Sequence, residues 1–438
     1  MFFSFESNTP LLLYTSMSMN TKKLFIASCV ALVTTSMVFS IRGDILDSLG
    51  ADFHLTKEQI GLILSPAFWG FTLSIFIGGS LVDLIGMRRL LLTSAAFYIL
   101  AVSAIIFAPK PTGPIGFTDT PFLILYGAML TLGLAQGLVE GVINPLVATM
   151  YPNDKTHRMN LLHAWWPGGL IVGGLASYAL TKVMGLDLPG VAAANMTFGW
   201  QIKLALIIIP AVVFAVMIWN EKFPQTERVT AGVTNSEMAA DLMKPMFLLL
   251  WICMWMTASS ELAPDQWAGS VMTKLANMQG ILLLVYTAGL MFVLRFFFGG
   301  VAHKFSPVLI LFISSILTGI GLYWLSTVTS PTEAFLAATL FGVGKTYFWP
   351  LMLGMTSERF PKGGPLALAV MGGTGNLAVA FILPIMGGWY DREGAAAAFR
   401  YVAILPVILT AIFGGLLLYF KSQGGYHAVK INAKGAKA

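Results

Sequence analysis

Twelve mainly apolar stretches recur along this 438-residue chain, and nothing else in the sequence limits its fold as strongly. They fall near 24–41, 60–82, 89–108, 122–150, 160–183, 201–219, 245–263, 279–300, 307–327, 334–356, 365–389 and 400–420. A helix needs roughly 20 such residues to cross a bilayer. Within lipid the backbone must satisfy its own hydrogen bonds, so each stretch is expected to be a helix. Composition agrees: 57% of residues are hydrophobic, 11% are charged, and the mean hydropathy is +0.78. A soluble protein carries about 25% charged residues. The expected fold is an all-α membrane protein with twelve transmembrane helices, its main partner being the lipid bilayer.

The net charge of +6 does not point to nucleic acid, because the basic residues are scattered singly over loops. Their distribution gives a topology instead. With both termini inside, the cytoplasmic segments collect seventeen Lys and Arg against eight outside, leaving Lys345 within a span. This bias places both ends in the cytoplasm of an inner (plasma) membrane protein. Cys29 and Cys253 lie in apolar spans and form neither a disulfide framework nor a metal site. The first 19 residues lack a basic n-region and a small-residue cleavage site, so no secretory signal is expected. Met17 or Met19 is the expected natural start.

The longest polar interruption, Asn220 to Lys244, divides the spans six and six. The expected organisation is an N-terminal tail (1–20), a six-helix bundle (21–219), a cytoplasmic linker (220–244), a second six-helix bundle (245–420) and a cytoplasmic tail (421–438). The halves repeat weakly. Gly137 to Leu146 in span 4 aligns with Gly342 to Leu351 in span 10, setting Glu140 against Lys345 and Pro145 against Pro350. A buried charge thus precedes a proline by five residues in both halves.

An ionisable side chain at the bilayer centre costs about 2.5–3.5 kcal/mol on insertion scales, so it must face a water-filled cavity or a partner. Glu140, Lys345 and Glu261, the last expected near the outer end of span 7, stand deepest. Asp44, with Arg42 and Asp47, lies where span 1 meets the outer side. Burial disfavours the charged form of a carboxylate, which lets such a group exchange a proton. Glu140 is the first choice for proton coupling and Asp44 the second. The alternatives are a permanent Glu140–Lys345 ion pair and, for Asp44, a solvated loop charge. Arg295, near the cytoplasmic end of span 8, is expected to snorkel to the surface or serve the gate.

The expected substrate-binding set is Asn144, Asn160, His163, Trp166, Glu261, Gln266, Trp267, Lys345, Tyr347 and Asn376. Aromatic faces beside amides and carboxylates suit a neutral, hydroxyl-rich small molecule such as a sugar. Individually each polar residue is equally suited to interhelical hydrogen bonding.

Between spans 2 and 3 lies Gly79-Ser80-Leu81-Val82-Asp83-Leu84-Ile85-Gly86-Met87-Arg88-Arg89, a short charged turn at a membrane surface. It resembles the signature loop of the major facilitator superfamily, departing from it at Met87. A second copy, Gly299 to Pro307, joins spans 8 and 9. The resemblance implies two pseudo-symmetric six-helix bundles, alternating access and a cytoplasmic gate, here Gly79, Asp83, Gly86, Arg88 and Arg295. Glu140 with Asn144-Pro145, then Arg158-Met159-Asn160-Leu161, is similar to the fucose and glucose–galactose permease branch. So are Asp44-Ile45-Leu46 and Arg295-Phe296 leading to Lys304-Phe305-Ser306-Pro307. That likeness implies proton-coupled symport of a hexose, with Asp44 and Glu140 as the protonatable pair and Asn160 beside the sugar. It also implies a working monomer and no cofactor beyond a coupling proton, with sodium as an alternative.

Other classes are less well supported. Gly372-Gly373-Thr374-Gly375-Asn376 is similar to a nitrate-carrier signature, but also suits close helix packing. A drug–proton antiporter shares the aromatic lining. An enzyme or a sensor lacks support: His54, His157, His163, His303 and His427 are dispersed, with no nucleophile–base or metal-ligand motif and no soluble domain.

Overall fold

The structure, a computed structural model, describes residues 19–151, 158, 161–184, 199–224, 240–296, 305–360, 363–427 and 429. The first half comprises α1 (Thr21–Asp44), α2 (Leu46–Asp52), α3 (Lys57–Ile85), α4 (Met87–Ile106), α5 (Thr120–Met150), α6 (Trp165–Val183), α7 (Gly199–Ala205) and α8 (Ile208–Ile218). The second comprises α9 (Pro245–Ala276), α10 (Ile281–Phe296), α11 (Pro307–Leu325), α12 (Pro331–Lys345), α13 (Phe348–Arg359), α14 (Gly364–Glu393), α15 (Ala395–Val402) and α16 (Ile404–Ser422). The pairs α7/α8, α12/α13 and α15/α16 each make one crossing, and α2 lies between crossings, so the chain passes twelve times. Nine crossings are long and apolar enough on their own. The other three are α6, the short α10 and the split α12/α13. We call the membrane face where α1 begins and α16 ends the terminal face, and the opposite one the distal face.

Ile209, Val213, Val216, Val407 and Leu418 are exposed large apolar side chains, as lipid-facing positions require. Local signals set the helix starts. Ser306 and Ser330 cap α11 and α12, each followed by proline at the first helical position. Gly86 joins α3 to α4 at φ +90, a conformation that an L side chain rarely adopts.

α9 departs from expectation. Its apolar run ends near residue 263, but the helix continues to Ala276 with Glu261, Asp265, Gln266 and Trp267 all buried. Glu261 therefore lies at the middle of the crossing, not at its outer end. The polar residues do not end the helix because they pack on α1 and α12 rather than facing lipid.

Prolines leave carbonyls that other halves or helices use. Pro384 cannot donate to Ala380 O, and Ser65 Oγ from α3 donates to it at 2.5 Å. Pro350 cannot donate to Thr346 O, and Arg295 Nε takes it at 3.1 Å. The second proline accompanies a break between α12 and α13, whereas α5 runs unbroken through Pro145.

Contacts between the halves gather toward the distal face. α3 lies so close to α14 that a Cβ on Gly61 would sit 2.5 Å from Leu383 O, and one on Gly387 would overlap the Lys57 carbonyl. Asp391 accepts from the backbone N–H groups of Lys57 (3.1 Å) and Glu58 (2.8 Å), capping α3 from the other half. Lys57 also donates to Asp47 and, at 2.9 Å, to Ser270. One apolar core joins the first half to the distal part of the second. A separate core, from Phe247 to Phe420, holds only second-half residues near the terminal face. Among the described residues, the molecule is thus closed distally.

Candidate transport site

Mid-membrane polar groups collect on both halves. In the first half, α5 places Glu140 and Asn144 one turn apart, both half-buried. His163 Nε2 lies 3.0 Å from Asn144 Oδ1. With that oxygen accepting, His163 donates, and the Asn144 amide hydrogens remain for Glu140, toward which they point. Trp166 stands half-buried on α6, its ring edge-to-face with Phe39 at 6.1 Å.

In the second half, Lys345 ends α12 and is 1% exposed. Its Nζ reaches both carboxylate oxygens of Asp265, at 2.5 and 2.7 Å, and sits 4.7 Å from the Phe341 ring centroid. This corrects the sequence reading: the partner of Lys345 is Asp265 on α9, not Glu140. The repeat aligned Glu140 with Lys345 but gave no distance across the halves, and α9 supplies a carboxylate inside the same half.

Arg295 also corrects its expectation. It does not snorkel. Nε is bound to Thr346 O, and Nη2 lies 3.6 Å from Glu261 Oε1. The Arg295 side chain is 22% exposed and that of Glu261 4%. The freed Thr346 carbonyl draws the guanidinium inward. Glu261 is further approached by the Trp349 backbone N–H at the start of α13, where a helix N-terminus favours negative charge. Its Oε2 has no hydrogen-bond partner among the described residues. His163 lies within electrostatic reach of Arg295, so a polar path runs Glu140, Asn144, His163, Arg295, Glu261 from one half to the other. Polar side chains half-exposed at this depth face water rather than lipid.

The remaining residues divide by position. Gln266 binds Arg42 Nε at 2.8 Å and Phe39 O at 3.1 Å, so it links α9 to α1. Trp267 is fully buried against Tyr390, 6.1 Å away. Tyr347 is half-buried and directs its hydroxyl to Leu294 O at 3.4 Å. Asn376 is nearly buried and donates to Gly372 O at 3.3 Å. Asp44 is neither mid-membrane nor loose: Lys203 Nζ (2.7 Å) and Ser177 Oγ (2.6 Å) both donate to its Oδ2. Gly86 forms the α3–α4 turn, and Arg88 is exposed in the first turn of α4. Gly79 and Asp83 belong to the last turns of α3, but their surroundings lie outside the described residues, as does Asn160.

Sequence reasoning passed over two residues. Asp265 follows Glu261 by one helical turn, and a lysine inside a span demanded such a counter-charge. Arg42 was assigned to the outer surface but is 1% exposed, its guanidinium 4.7 Å from the Phe68 ring centroid. It lies in the distal closure between the halves.

Comparison with known proteins agrees with this architecture. Residues 24–269 match the sequence profile described as Major Facilitator Superfamily. The niacin transporter NiaP of Acinetobacter baylyi is 29% identical over 183 residues, 42% of this chain and 36% of that protein. The gentisate transporter of Corynebacterium glutamicum is 22% identical over 370 residues, 80% of this chain and 76% of that one. Among solved structures, the partially occluded inward-open xylose transporter XylE from E. coli superposes with a TM-score of 0.72 at 14% identity, covering 91% of this chain and 99% of that one. At that identity the likeness concerns fold alone. With the family profile matched over more than half its length, this chain belongs to the major facilitator superfamily, a family of membrane transporters rather than enzymes.

Proposed function

We propose that the protein is a proton-coupled carrier that moves a small organic acid across the inner (plasma) membrane by alternating access, its terminal face being cytoplasmic. The observation that carries this reading is the polar path between the halves. Its one arginine, Arg295, has Glu261 as its nearest carboxylate at 3.6 Å, and a protonatable carboxylate, Glu140, stands at the other end. A guanidinium so placed suits a carboxylate ligand, and Glu140 suits the coupling proton. The names of the niacin and gentisate transporters, both acting on aromatic acids, support the substrate class. The basic residues at the terminal face support the orientation.

A hexose, the substrate implied by the fucose-permease likeness, is the second reading. The half-buried Trp166, one turn after the His163 that meets Asn144, and Trp349, packed against Gly375 beside Asn376, favour it. Asp44, held by Lys203, is assigned a structural role rather than coupling. The carrier works as a monomer with a proton, not sodium, as coupling ion.

The test is uptake into proteoliposomes of labelled nicotinate, gentisate and a hexose panel under an imposed pH gradient, then a sodium gradient. Acid uptake driven by the pH gradient, with its accumulation lowered in Glu140→Gln, is expected. Hexose uptake alone would replace the organic-acid reading with the second. Uptake indifferent to pH would overturn proton coupling.

A further inference from the structure

Two buried carboxylates on α9, one turn apart, are held in different ways. Both oxygens of Asp265 are engaged by Lys345 at 2.5 and 2.7 Å. Glu261 is approached by Arg295 at 3.6 Å on Oε1 and by the Trp349 backbone N–H, and its Oε2 has no hydrogen-bond partner among the described residues. A buried carboxylate oxygen without a donor is a costly arrangement for an ion, and a proton on it would remove that cost. Arg295, meanwhile, is anchored through Nε to the Thr346 carbonyl that Pro350 leaves unused. It keeps its place whether or not Glu261 is charged.

We infer that Glu261 is a second proton carrier, which competes with the carboxylate of the substrate for Arg295. This inference rests on the organic-acid reading above. In the cycle, a proton from the distal side binds Glu261, its charge is lost, and Arg295 accepts the substrate anion in its stead. After the site opens to the terminal face, the anion leaves, Glu261 releases its proton to that side, and the Arg295 contact re-forms. Glu140 carries another proton through the same cycle. Two protons then accompany one monoanion, and one net positive charge moves inward per turn.

The groups facing Glu261 are consistent with this division. Asp265 from its own helix is already paired, and Lys345 on α12 is spent on Asp265. α10 contributes Arg295, which Tyr347 faces in turn, and the α13 start contributes the Trp349 N–H. From the first half, His163 faces Arg295, and Arg42 on α1 is one turn away, bound to Gln266. α14 and α16 carry no charged residue between 366 and 386 or between 404 and 420.

The test uses nicotinate and the purified full-length carrier in proteoliposomes, with protein-free liposomes as the control for leak. At a pH gradient of about one unit and zero membrane potential, two-proton coupling accumulates nicotinate up to about 100-fold, and one-proton coupling about 10-fold. Wild type is expected to approach the first limit and to respond to an inside-negative potential. Glu261→Gln is expected to fall to the second and lose the potential response, with pH-driven uptake intact. Wild type limited to about 10-fold, or Glu261→Gln still exceeding it, would overturn the inference. A solute-free measurement covers failure of the substrate reading itself. Infrared difference spectra between acidic and alkaline pH should contain a protonated-carboxyl band that Glu261→Gln removes and Asp265→Asn leaves. A spectrum unchanged by Glu261→Gln refutes Glu261 as a proton carrier whatever the substrate.

Discussion

The Lys345–Asp265 pair offers the most direct check on the site as described. The two side chains are 1% and 5% exposed, and Nζ touches both carboxylate oxygens. Removing one partner of a buried pair leaves an uncompensated charge and costs about 3–5 kcal/mol, whereas replacing both by neutral groups is often close to neutral. Asp265→Asn and Lys345→Met should therefore each destabilise strongly, and the double variant should recover most of the loss. For a unit of 150–250 residues, the size of one half, about 2–4 °C of melting temperature accompanies each kcal/mol, so each single variant should melt roughly 6–20 °C lower. Cys29 and Cys253 are single buried thiols, and a thiol-reactive fluorophore reads their exposure on unfolding. Additive effects of the two substitutions would refute the pairing. Rescue of Lys345→Met by Glu140→Gln rather than by Asp265→Asn would restore the partner implied by the internal repeat.

Two other perturbations address the faces of the molecule. In Gly61→Val the new side chain meets Leu383 O and Pro384 across the halves. Overpacking of this kind costs about 1–3 kcal/mol, which shifts a two-state equilibrium roughly 5- to 150-fold. Distances between spin labels at Glu58 and Arg392 should lengthen; an unchanged distribution would refute distal closure through this contact. At the terminal face, Tyr426 OH donates to Glu358 Oε2 at 2.7 Å and Arg359 Nη1 donates to His427 O at 2.9 Å, folding the chain after α16 back onto α13. Burial first, and then the Glu358 carboxylate, raise the Tyr426 phenol above its ordinary value. Its contribution is therefore complete below the usual tyrosine range of about 10 and is lost as pH rises through the raised value. Proteolysis after Gly425 should be faster in Tyr426→Phe at neutral pH; equal rates would refute the tie.

Much of the fold was legible because lipid imposes a simple rule on each crossing. Every one of the twelve expected stretches corresponds to a crossing, and the break in span 10 follows the Lys345 and Pro350 that drew attention in the repeat. The misread positions are those where a polar side chain is satisfied by a neighbour distant in sequence. Hydropathy ended span 7 near 263 because Asp265 and Gln266 look like surface residues. They are interior because Lys345 and Arg42 meet them there. Arg295 looked like a helix-end cation because the carbonyl that binds it is exposed only by a proline on another crossing.

The sequence by itself determined that the chain crosses a membrane twelve times in two related halves with ionisable groups inside. Hydrocarbon excludes charge and unpaired backbone, and that constraint acts on each segment separately. Only the tertiary structure decided which charges neutralise one another: Lys345 with Asp265, Asp44 with Lys203, and Glu261 with a half-engaged Arg295. A buried charge is compensated only by a partner in direct contact, within a few ångströms, and residues 34 to 159 positions apart reach that separation only through the packing of helices.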